Sequence, residues 1–113
     1  MDGIVKGNRR HRYISFRVSF MGQNYTITET ELIQAIRQQT HDLFSKMSKE
    51  LGLWIVQFDG NTGIIKCNYT EKEHTIQLLQ SLKTIGSKSV TCTTSATSGT
   101  IHGITHKKRK RSR

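Results

Sequence analysis

Few residues of this chain have the types and spacing that chemistry needs. A metal site would have to draw on Cys67, Cys92 and the His102-x-x-x-His106 pair. Zinc domains supply their cysteines in closely spaced pairs, so these two read as small core residues instead. A phosphate-cradling loop would be rich in glycine and end in an arginine just after the first strand, but the sequence there is Met21-Gly22-Gln23-Asn24-Tyr25. None of the five histidines falls in a nucleophile or general-base motif. The carboxylates are mostly helix-capping glutamates or singletons. No catalytic residue, metal ligand or protein-bound cofactor is expected.

The remaining chemistry is charge. Lys and Arg number 18 against 8 Asp and Glu, a net charge of +10. Residues 1–12 carry Lys6, Arg9, Arg10 and Arg12 against Asp2 alone, and residues 105–113 carry Lys107, Lys108, Arg109, Lys110, Arg111 and Arg113 with no acid. Between them, eight bases nearly balance seven acids. A neutral body with two cationic arms suits a polyanion, because each Lys or Arg that displaces a condensed counterion adds salt-sensitive affinity. Lys-Lys-Arg-Lys-Arg also has the composition of a nuclear address. The expected organisation is a basic N-terminal arm (1–12), one domain (13–104) and a basic tail (105–113), the arms being disordered when alone. No run approaches the roughly 18 apolar residues of a membrane span, and the N-terminus lacks the pattern of a signal peptide. A soluble intracellular chain with reduced cysteines is expected.

The elements that position these charges follow from periodicity. Tyr13 to Phe20 alternates Ile14, Phe16, Val18 and Phe20 with Tyr13, Ser15, Arg17 and Ser19, which predicts a strand. Thr28 with Glu31 predicts a capping box. Apolar residues from Leu32 to Leu51 then recur at helical spacing up to Gly52, a helix of about 20 residues. Leu53–Phe58 and Ile64–Tyr69 flank Asp59-Gly60-Asn61-Thr62-Gly63 as a hairpin. The first of these strands is apolar at both parities, as in strands covered on both faces. Thr70 with Glu73 predicts a second capped helix, ending near Gly86, and Val90, Cys92 and Thr94 mark a last strand. Small residues from Ser95 lead into Thr100–Ile104, read as a turn or short helix over a sheet edge.

The order β-α-β-β-α-β predicts an α+β split βαβ (ferredoxin-like or RRM-like) sandwich. It would have a four-stranded antiparallel sheet and two main helices on one face. The open face would show Tyr13, Ser15, Arg17, Ser19, Lys66, Asn68, Ser89, Thr91 and Thr93. RRM domains stack bases on two or three aromatics of that face, whereas Tyr13 is the one clear aromatic here. Backbone contact through Arg17 and Lys66, or burial under a partner protein, fits better.

Arg12-Tyr13-Ile14, Thr62-Gly63-Ile64-Ile65-Lys66-Cys67-Asn68 and Ser98-Gly99-Thr100-Ile101, set in this frame over about residues 12–104, resemble the ribonuclease P protein component 2 family of archaea and eukaryotes. The glycine that often follows the Leu43-Phe44 pair is Ser45 here, and Tyr69 replaces a frequent basic residue. The resemblance implies a non-catalytic subunit that stabilises ribonuclease P RNA, whose bound Mg²⁺ supports removal of the 5′ leader from precursor tRNA. It implies a TIM-barrel protein partner, component 3, and an archaeal, cytoplasmic setting, or a nuclear or nucleolar one in a eukaryote. The RNA contacts expected are Arg9, Arg10, Arg12, Arg17, Lys66, Lys107, Lys108, Arg109, Lys110 and Arg111. The competing class is a free-standing RRM-like or ribosome-associated RNA-binding protein, and self-association is left open.

Overall fold

The structure, a computed structural model, describes residues 11–21 and 26–99. β1 (His11–Phe20) buries Ile14, Phe16 and Val18 and exposes Arg17 and Ser19, the alternation read from the sequence. The next element, α1 (Glu29–Phe44), opens with the expected capping box. Thr28 Oγ1 accepts from the Glu31 N–H at 3.1 Å, and Glu31 Oε1 accepts from the Thr28 N–H at 3.0 Å. That backbone hydrogen bond, with help from the nearby Lys88 ammonium, holds the Glu31 carboxyl below the usual carboxylate range. Leu32 and Ile36 are buried, and buried Thr40 satisfies its hydroxyl on the Ile36 carbonyl at 2.6 Å.

The helix is shorter than its periodicity implies. It stops at Phe44, where Ser45 takes a left-handed conformation (φ 57°) and its N–H donates to the His41 carbonyl at 2.9 Å. A 3₁₀ turn, Ser48–Leu51, then buries Leu51 and ends at Gly52. Apolar spacing continued through Met47 and Leu51, but Leu51 reaches the interior by folding the chain back, and Met47 stays exposed.

β2 (Trp54–Phe58) and β3 (Thr62–Asn68) form the expected hairpin. The Asp59 carboxylate organises its turn, accepting from the Asn61 and Thr62 N–H groups and the Thr62 hydroxyl at 2.8–3.0 Å. The register shifts between Ile55 and Gln57, so Val56 is a bulge. Within this chain β2 is an edge strand with Trp54, Val56 and Gln57 exposed, rather than a strand covered on both faces.

The second helix also departs from expectation. Thr70 is not its cap: Tyr69–Glu71 is a 3₁₀ turn, α2 spans Lys72–Ser81, and its N-cap residue, Glu71, makes no side-chain capping hydrogen bond. Beyond Ser81 the chain is already extended at Leu82, and the Lys83 carbonyl accepts from the Val90 N–H at 2.8 Å. It therefore enters the sheet before Gly86, as β4 (Thr84–Ile85), and returns as β5 (Lys88–Ser98). Thr84 pairs with Ser89 and Ile85 with Lys88 across Gly86-Ser87, a two-residue turn whose first residue needs the positive φ (63°) that glycine supplies. The small-residue stretch Ser95–Ser98, expected to follow the last strand, is part of it.

The sheet thus has five strands instead of four, in the order β2-β3-β1-β5-β4, with every neighbouring pair antiparallel. The extra strand is two residues long and carries no alternation by which it could have been read. Leu32 and Ile36 of α1 and Leu78 and Leu79 of α2 pack into one core with Ile14, Phe16, Val18, Ile65, Cys67 and Cys92, so both helices cover the same face in an α+β architecture. Gln39 Nε2 donates to Ser81 Oγ at 2.8 Å and ties the two helices together. Cys67 and Cys92 are free and buried on the two strands that flank β1. Burial pushes both thiols up, that of Cys92 to about 12. No helix among the described residues is long and apolar enough to cross a membrane.

Candidate nucleic-acid interface

The face away from the helices is built by pairing. Tyr13 stands directly opposite Lys66 on one side and Ser98 on the other, and Lys66 in turn stands opposite Trp54. Directly opposed residues of an antiparallel sheet share a face, so Trp54, Lys66, Tyr13 and Ser98 form one row across four strands. The next row is Gln57, Ile64, Ser15 and Ala96, followed by Thr62, Arg17 and Thr93, then Ser19 and Thr91.

This face has a dry interior row and a wet, cationic surround. Ile64 and Ser15 are both buried although they point away from the helices. A bulge places Ser95 out of register, and its hydroxyl meets that of Ser15 at 2.6 Å, which satisfies the buried Ser15. Lys66 and Tyr13 are partly buried, Arg17 is exposed, and Trp54 is 67 % exposed. None of the residues in these rows is acidic.

Of the expected contact residues, Arg17 and Lys66 come to this one face, about 13 Å apart along the strands at about 3.3 Å per residue. Arg12 does not join them. It stands opposite Cys67, at the parity of the helix-facing side chains; Nη1 donates to the His11 carbonyl at 2.9 Å, and the guanidinium lies 5.9 Å from the centre of the Tyr69 ring. Arg9, Arg10, Lys107, Lys108, Arg109, Lys110 and Arg111 lie outside the described residues, as do His102, His106 and the Thr100–Ile104 stretch.

Sequence reasoning missed Trp54. The bulge at Val56 breaks the parity count from the hairpin turn, and a strand apolar on both sides hid which side the indole takes. It also missed the contact between His74 Nδ1 and Glu71 Oε1 at 2.6 Å, where the imidazole lies 4.8 Å from the Phe44 ring and links the start of α2 to the end of α1. Among the described residues no three His, Cys, Asp or Glu side chains gather closely enough to hold a metal ion. What the face can do is bind: cations for phosphates, hydroxyls for hydrogen bonding and two aromatic rings.

The sequence profile of the RNase P Rpp14 family, described as the Rpp14/Pop5 family, matches residues 12–108. The chain belongs to the Rpp14/Pop5 family. The matched region opens with Arg12-Tyr13-Ile14 in β1, contains all of β3 and runs through Ser98-Gly99-Thr100-Ile101 to Lys108, so the whole face turned away from the helices lies inside it. A chain in the cryo-EM structure of yeast ribonuclease MRP has the same fold, with a TM-score of 0.70 at 10 % identity over 91 % of this chain and 94 % of that one. No curated protein matches the sequence.

Proposed function

We propose that this Rpp14/Pop5 family member is a non-catalytic subunit of ribonuclease P that binds the catalytic RNA and stabilises it during removal of the 5′ leader from precursor tRNA. The observation that carries the reading is a family match spanning a sheet face that bears Arg17 and Lys66 and no carboxylate in its rows. Cationic side chains and arms screen phosphate repulsion between RNA helices and lower the Mg²⁺ needed to hold an RNA fold together. The Mg²⁺ that drives hydrolysis then belongs to the RNA. The five-stranded sheet is read as a split βαβ, RRM-like core in which β4 is an added hairpin strand.

The groove between α1 and β2, lined by Ile33, Leu53 and Ile55 and also by Trp54, Glu29 and Arg37, suits a protein partner, and the TIM-barrel subunit of the holoenzyme is the one proposed. An archaeal cytoplasm is the proposed setting. The test is purification of the tagged full chain from its native cells and sequencing of the RNA that comes with it. Ribonuclease P RNA is expected, together with precursor tRNA cleavage. Recovery of ribosomal RNA alone would replace this reading with that of a ribosome-associated protein.

A further inference from the structure

We infer that Trp54 and Tyr13 form a two-base stacking platform for single-stranded RNA, with Lys66 between them on the connecting phosphate. This deepens the proposed RNA binding and rests on it. The two rings share one row of the face turned away from the helices, two strands apart, with Lys66 paired directly to both and Tyr13 partly exposed. Strands lie about 4.7–4.9 Å apart, so the two aromatic positions are about 10 Å apart. That separation lets two unstacked bases each take a ring, while the ammonium between them meets the backbone that joins them. Arg17 continues the cationic track on the same face.

The chemistry of the row selects the occupant. The cores of protein interfaces are depleted in Lys, and here a Lys stands between the two aromatic residues, with Arg17 about 13 Å further along the same face. Single-stranded nucleic-acid sites combine the two features present, a positive groove and aromatic faces that accept any base. A duplex keeps its bases stacked inside and offers these rings nothing. The edge position of β2 leaves the indole 67 % exposed and open to a base.

Trp54 is the single tryptophan of the chain, so its fluorescence reports directly on the site. The full chain is titrated with an oligouridylate strand and with an RNA duplex of equal length. The strand is expected to quench the indole and the duplex to leave it unchanged. Trp54→Ala should weaken strand binding about 5- to 100-fold with an unaltered salt slope, and Trp54→Phe should recover most of the loss. Tyr13→Ser should act likewise, and circular dichroism checks that each variant is folded.

An unquenched wild-type indole, or Trp54→Ala binding the strand as tightly as wild type, overturns the platform. If Lys66→Ala and Arg17→Ala still flatten the salt slope, RNA binding at this face survives without stacking. If they do not, that reading of the face falls too. Loss of a protein from the native complex on Trp54→Ala, with strand binding intact, assigns the ring to a protein interface and likewise overturns the platform.

Discussion

Gly63 faces Phe16 so closely across the β1–β3 pairing that a Cβ on Gly63 would lie 2.9 Å from Phe16 Cζ and 2.6 Å from the Gln57 carbonyl oxygen. The missing side chain is the space that Phe16 and Phe58 fill, with their rings stacked at 6.0 Å. Gly63→Ala should destabilise the fold by about 1–3 kcal/mol through overpacking, measured by urea unfolding. In a Phe16→Leu background, which lacks the ring clash but keeps the carbonyl clash, Gly63→Ala should cost less than in wild type but still destabilise. A zero cost of Gly63→Ala in that background would show that the backbone contact costs nothing.

Ser45 is a non-glycine residue held at positive φ where α1 stops. An L side chain is disfavoured there by about 1–2 kcal/mol, part of which glycine returns through its freer unfolded chain. Ser45→Gly should therefore raise stability by about 0.5–1 kcal/mol, seen as a higher Tm. A lower Tm would mean that the Ser45 side chain has a role beyond its backbone.

The buried Cys92 thiol, pushed up to about 12, contributes stability that is complete below the ordinary thiol range. Above about pH 9 the unfolded thiol ionises while the folded one stays neutral, so stability falls as pH rises towards 12. Cys92→Val should flatten this alkaline loss relative to wild type in urea unfolding from pH 8 to 11. Equal slopes for the two proteins would show that other groups account for it. Native Cys92 should also resist alkylation at pH 8 until the protein unfolds.

Phosphate contacts leave a salt signature. Arg17→Ala and Lys66→Ala should each reduce the log–log salt slope of RNA binding by about 0.7–0.9. Truncation after His106 removes six positive charges and should flatten the slope further, with affinity lost equally for all sequences. A slope unchanged by truncation, in both the isolated chain and the assembled complex, would leave Lys107–Arg113 as a targeting or solubilising run.

The isolated chain should show no cleavage of precursor tRNA at any Mg²⁺ concentration, and addition of the cognate RNA and partner proteins should produce it. Turnover by the pure chain, abolished by one point substitution, would contradict a non-catalytic subunit.

Local chemistry and alternation were legible in the residues themselves. Ile14, Phe16 and Val18 against Arg17 and Ser19 set the two sides of β1, because a strand's period is two whatever surrounds it. Thr28 and Glu31 set the start of α1, because a cap is completed within three residues. Asp59 set the hairpin turn for the same reason. The charge of the two arms needed only counting, and three short motifs were enough to point to the family.

Tertiary structure decided what depends on partners distant in sequence. Helical periodicity ran through Leu51, but the helix broke at Ser45, since burial of Leu51 is a property of the folded path and not of spacing. Thr84 and Ile85 became a strand only because Ser89 and Lys88 came back to meet them. Trp54 joined Lys66 and Tyr13 on one row through a register that includes a bulge, and parity along β2 alone could not place it. Arg12 was separated from Arg17 and Lys66 by one step of pleat, which turned it towards Tyr69. A sequence records each side chain's chemistry, while the surface on which those chemistries meet is set by hydrogen-bond register between strands, a long-range quantity that only the closed sheet defines.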